Sequence, residues 1–172
     1  MNPYVKLAQT AIETYLKEGK TIRLPVNLPA EMTKHQAGVF VTIKNGEQLR
    51  GCIGTYEPTK PSIAKEIIEN AISAATNDYR FSAITPTEFP DLSYEVSILT
   101  RPELVKDPSQ ELDPQKFGVL IKTDSGKSGL LLPDLEGINT VERQLEAVCQ
   151  KCGVDPEEEK IAIYRFTVKK YE

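Results

Sequence analysis

The residue types best suited to chemistry gather in seven positions, Leu49-Arg50-Gly51-Cys52-Ile53-Gly54-Thr55. A cation, a thiol and two glycines share one strand-like segment. Glycine inside a strand costs backbone entropy and packs nothing, so two of them require that something approach the main chain. On an extended strand alternate residues share a face. Arg50, Cys52, Gly54 and Tyr56 then fall on one side, and Leu49, Gly51, Ile53 and Thr55 on the other. Arg50 and Cys52 would be neighbours, about 6.5–7 Å apart at Cα. A guanidinium at that range could favour the Cys52 thiolate or hold an anion beside it. The alternative is a packed, inert cysteine, with the glycines admitting a helix against the sheet.

Other chemical patterns reduce to structure. Gly126-Lys127-Ser128 resembles the end of a phosphate loop, but Ile121 stands where that motif needs glycine, and the flanks read strand–turn–strand. Cys149-Gln150-Lys151-Cys152 has redox or half-zinc spacing, yet Leu145, Val148, Cys149 and Cys152 continue one helical face. No second cysteine pair completes a zinc site. His35, the single histidine, sits in an irregular segment with no partner pattern. Asp155-Pro156-Glu157-Glu158-Glu159 reads as a solvated helix start, with acids at the favourable end. No metal site and no cofactor motif are expected.

The elements that must position the seven-residue segment are legible in outline. Asn2, Pro3 and Gly19 bracket a first helix. Residues 21–36, with Pro25 and Pro29, read as an extended connection. Val39, Val41 and Ile43 lead through an Asn45-Gly46 turn into a returning strand over 48–56. Ser62 starts a helix whose Ile63, Ile67, Ala71, Ala74 and Ala75 make a small-residue face, running out near Asn77-Asp78-Tyr79-Arg80-Phe81. A strand over 94–99, a proline-rich loop over 102–116, a hairpin over 118–132, a helix over about 140–151 and a closing strand over 161–168 follow. Two hairpins without regular strand–helix alternation predict an α+β fold, a mostly antiparallel sheet with flanking helices.

Composition sets the class. The chain has 172 residues, 40% hydrophobic and 27% charged, with a formal net charge of −4 and thinly spread cations. One domain over 1–172 is expected, with a larger and a smaller lobe. The charge disfavours nucleic-acid binding, and three cysteines make no secreted disulfide framework. The longest apolar runs fall far short of a membrane span. With no basic leader ahead of an apolar stretch, a cytoplasmic protein is expected.

Leu49-Arg50-Gly51-Cys52-Ile53-Gly54-Thr55 resembles the signature of the AMMECR-type domain family. Gly38-Val39-Phe40-Val41-Thr42 resembles the strand before that signature, Ala71 through Phe81 its "AA…DxRF" helix end, Glu95-Val96-Ser97-Ile98-Leu99 its "EVSxL" strand, and Gly129-Leu130-Leu131-Leu132-Pro133 its "GLLLP" turn. Lys116-Phe117-Gly118 stands where members often carry His-Gly, and Asn77-Asp78-Tyr79-Arg80 replaces the usual Asp-Pro-Arg. The resemblance implies an α+β fold in two unequal lobes with the signature near a cleft between them. It also implies association with a Memo-like protein and a radical-SAM enzyme in the AmmeMemoRadiSam system, any iron–sulfur cluster or S-adenosylmethionine belonging to that partner.

The functional expectation is a binding or accessory domain without a cofactor of its own. Arg50, Gly51, Gly54, Arg80 and Glu95 would hold a small anionic ligand or a partner segment, with Glu95 orienting an arginine. The alternative is a thiol enzyme using Cys52 as nucleophile, its thiol activated by Arg50. A weaker one is a nucleic-acid-linked regulator.

Overall fold

Asn2 caps the first helix, α1 (Pro3–Glu18), its side chain accepting from the Tyr4 amide at 3.0 Å, and Gly19 ends it in the left-handed conformation. The structure, a computed structural model, describes all of residues 1–172. The extended stretch after α1 contains one unanticipated turn of helix, α2 (Ala30–Lys34), whose Met32 is fully buried. A five-residue helix with no side-chain cap has little local signal, and burial of Met32 holds it in place.

The hairpin follows as β1 (Gly38–Asn45) and β2 (Gln48–Thr55), antiparallel and joined at Asn45 and Gly46. Ser62 caps α3 (Ile63–Thr76). A short 3-10 helix, Pro86–Asp91, leads into β3 (Leu92–Leu99). The chain then makes β4 (Glu103–Val105) and α4 (Pro108–Glu111) inside the stretch expected to be loop. β5 (Gly118–Thr123) and β6 (Ser128–Leu131) form the second hairpin. The Gly126-Lys127-Ser128 sequence lies at its turn, with the Thr123 amide donating to the Lys127 carbonyl at 2.9 Å. Helix α5 (Val141–Cys152) carries the Cys149/Cys152 pair in its last turn, both as free thiols.

The acidic run after α5 is a turn and not a helix start. Glu159 leaves it to bond Ser125 at 2.7 Å and Lys127 at 3.0 Å. The closing strand is also divided, into β7 (Ile161–Phe166) and β8 (Val168–Tyr171), which belong to different sheets. The fold is α+β with two four-stranded sheets, ordered β2-β1-β3-β8 and β4-β7-β5-β6.

The chain divides into two compact units, Met1–Leu99 with Lys169–Glu172, and Thr100–Val168. In the first, Val39, Val41, Ile43 and Val96 face α1 and α3 with no solvent exposure. Ala71, Ala74 and Ala75 keep that side of α3 small, which brings helix and sheet backbones close. The second has its own core of Val105, Val119, Ile121, Val148 and Cys149. No helix is long and apolar enough to cross a membrane.

Candidate functional site

All the nominated residues belong to the first unit, and β2 carries four of them. β2 is an edge strand of its sheet, so the backbone groups on its outer side need partners other than a strand. Its inner side explains Gly51. A Cβ there would collide with the Ala74 carbonyl of α3, so the glycine is what lets the small-faced helix seat. Gly54 lies opposite Phe40 on β1, and its vacant side-chain volume is filled by the Phe40 ring. Each glycine therefore has an occupant within the fold.

Strict alternation fails at Arg50. Ile43 pairs with Gly51 and Lys44 with Leu49, leaving Arg50 as the extra residue of a β-bulge. Its guanidinium reaches Glu88, through Nε at 2.7 Å and Nη2 at 3.1 Å, and the Ser82 and Ala83 carbonyls at 2.8 and 3.3 Å. The pairing with Arg50 draws the Glu88 carboxyl down to about 2. Glu88 also accepts from the Thr85 amide at 2.9 Å, closing the cap of the 3-10 helix. Arg50 is thus a brace for residues 82–88, and Cys52 shares none of its hydrogen-bond partners.

The arginine beside Cys52 is Arg80. Its Nε and Nη2 grip both oxygens of Asp78 at 3.0 and 2.8 Å, and Nη2 approaches the Cys52 carbonyl at 3.4 Å. Asp78 in turn accepts from the Cys52 amide at 2.9 Å. Together they occupy the outward backbone groups of Cys52 as a neighbouring strand would. Asp78 is buried, and its bonds to Arg80 hold its carboxyl well below the usual carboxylate range. The same contact raises the Arg80 pKa. The guanidinium also lies over the Phe81 ring, 5.4 Å from its centroid, while Nη1 makes no hydrogen bond within the fold and the side chain is 45% exposed.

The Cys52 thiol is partly buried and lies 3.2 Å from the Thr42 hydroxyl. Thr42 faces Cys52 on one flank and Glu95 on the other, so the three form a row across β2, β1 and β3. Glu95 orients no arginine; its partners are Lys44 at 3.8 Å and Ser97 at 3.5 Å. Two strand spacings, about 9–10 Å, separate Glu95 from Cys52, too far for direct proton transfer. His35 caps the end of α2 with an exposed side chain and bonds nothing at the thiol. No group of three His, Cys, Asp or Glu side chains converges as a metal site.

Three carboxylates carry this construction, and sequence reasoning nominated none of them. Glu88 holds Arg50, Asp78 holds the Cys52 amide, and Glu66 holds Thr55. Glu66 is 1% exposed and accepts from the Thr55 hydroxyl at 2.6 Å, the Thr59 amide and hydroxyl at 2.9 and 2.8 Å, and the Lys60 amide at 2.7 Å. Its signal was present: an acid embedded in the apolar run of α3 must have buried partners.

The sequence profile of the AMMECR1 family matches residues 5–171. The chain belongs to the AMMECR1 family. A protein of Thermotoga maritima is 49% identical over 171 residues, covering 99% of this chain and 97% of that protein. A Clostridium acetobutylicum protein is 44% identical across 99% of this chain, but the match spans only 35% of that longer protein. Among solved structures, an uncharacterized protein of Pyrococcus horikoshii superimposes with a TM-score of 0.85 at 36% identity, covering 97% of this chain and 88% of that one. The matched region includes the edge strand braced by Glu88, Asp78 and Glu66.

Proposed function

We propose that this AMMECR1 chain is a binding or accessory domain that receives a small anionic ligand, or an acidic segment of a partner protein, at the Cys52–Arg80 edge of β2. The observation that carries this reading is the exposed Nη1 of Arg80, free of hydrogen bonds within the fold and held at the Cys52 backbone by the Asp78 pair. An arginine so fixed loses little entropy on forming a charge-assisted bond. Arg50 and Gly51 support the site from within the fold, Gly54 continues the edge, and Glu95 repels anions from the far end of the row. The expected partners are a Memo-like protein and a radical-SAM enzyme. Occurrence of the domain within a longer Clostridium chain supports an accessory role.

Native mass spectrometry of the protein from its own cells tests this. A bound anionic species or partner retained by wild type and by Arg80→Lys, and lost in Arg80→Ala with the fold intact, is expected. Equal retention by Arg80→Ala would sink the reading. A second reading, thiol chemistry at Cys52, draws on the partly buried free thiol 3.2 Å from the Thr42 hydroxyl. The pH dependence of Cys52 alkylation decides it. A midpoint well below that of free cysteine favours the enzyme, and an unreactive thiol removes it.

A further inference from the structure

An apolar groove with a charged rim lies in the first unit, away from β2. The last turn of α1, the extended stretch after it and the outward side of α3 enclose a groove of about 660 Å³. That volume is in the range of small-molecule sites. Its floor is apolar, built from Tyr15, Ile22, Leu24, Ile68 and Ile72. Its rim is cationic. Arg23, Lys60 and Lys65 line it with a single carboxylate, Glu69, which Lys60 already neutralises at 2.6 Å. Arg23 and Lys65 have no ion-pair partner, although the chain as a whole carries a net charge of −4.

We propose that this groove binds a single-chain amphiphile with a carboxylate head, a medium-chain alkyl carboxylate. The apolar floor gives a bare inorganic anion nothing to contact, and a neutral hydrocarbon leaves the two cations unanswered. A chain of roughly ten carbons covers the floor and places its carboxylate between Arg23 and Lys65. Burying each methylene raises affinity about fourfold. The head group adds charge-assisted hydrogen bonds at the rim.

Calorimetric titration of the full chain with hexanoate, octanoate, decanoate and decyltrimethylammonium, all below their micelle concentrations, tests the proposal. Affinity is expected to climb about fourfold per methylene, with the ammonium head at least about tenfold weaker than decanoate because it meets like charge. Arg23→Glu and Lys65→Glu, both at exposed positions, should weaken decanoate by about tenfold while leaving thermal unfolding unchanged. Ile72→Ser should flatten the dependence on chain length. Absence of saturable binding, indifference to head-group charge, or wild-type affinity in both charge-reversal variants would overturn it. So would binding of an acidic peptide at this groove with none of the alkyl carboxylates.

Discussion

Arg50 shows how far a residue's role depends on the geometry of its neighbours. In an unbroken strand it would stand over Cys52; in the bulge it is turned to Glu88 and two carbonyls. Most of its donors are consumed, whereas Arg80, at the outer edge of β2, keeps Nη1 free of hydrogen bonds. The Glu88 pairing has a measurable consequence. Its carboxyl is drawn from an ordinary value near 4.5 to about 2 in the folded protein. A depressed folded-state pKa means the stabilisation is complete above the unfolded value and is lost as pH falls. Urea unfolding of Glu88→Gln should therefore show lower stability than wild type at pH 6, with the gap closing between pH 4.5 and pH 2. A gap constant across that window would show that the ion pair is not its source. Glu66 answers to a different measurement. Two backbone amides donate to its Oε2 and two threonine hydroxyls to its Oε1, so Glu66→Ala leaves the Thr59 and Lys60 amides without their acceptor. A loss of about 2 kcal/mol is expected in the same unfolding assay at pH 7.

At the scale of elements, β2 is shaped from both sides. α3 presses on Gly51 with backbone, whereas Phe40 covers Gly54 with a side chain. That difference predicts unequal costs for the same substitution. Gly51→Ala should lose about 3 kcal/mol, because neither the helix carbonyl nor the strand can yield without repacking the core. Gly54→Ala should cost less, since the Phe40 ring can swing away, and Phe40→Ala should relieve most of it. A double-mutant cycle on thermal stability reads the coupling directly. Equal, independent losses would contradict this account. The elements fixed by their own residues were legible in sequence: the Asn2 and Gly19 ends of α1, the Asn45-Gly46 turn, the Ser62 cap of α3. So was the antiparallel α+β class. What stayed hidden depends on distant contacts. α2 is held by burial of Met32, β4 by pairing with β7, and the Arg50 bulge by a register shift against β1. The three bracing carboxylates stayed hidden because their partners on β2, Thr55, Cys52 and Arg50, lie 11, 26 and 38 residues away in the chain.

The route of the whole chain makes its last residues part of its first unit. Leaving after Leu99, the chain builds the second unit and returns at Lys169. The Thr100 amide donates to the Thr167 carbonyl at 2.9 Å and the Thr167 amide to the Thr100 hydroxyl at 2.8 Å, pinning exit to return. Beyond that point β8 adds the strand next to β3. Tyr171 stacks on Tyr4 of α1, with centroids 4.2 Å apart and planes 4° from parallel. An amphipathic helix and an edge strand from opposite ends of the sequence thereby cover the same core. Tyr171→Ala should cost about 1 kcal/mol for the ring pair alone. Removing residues 169–172 should cost more, since β3 also loses the strand on its β8 side while keeping β1. Hydrogen exchange can separate this from a general loosening. Amides of α1 and β3 should lose protection in the truncated chain, while those of β5 and α5, built on their own core, should keep it. Uniform loss across all four elements would mean that the two units unfold as one, and the C-terminal strand would then be a support for the entire chain.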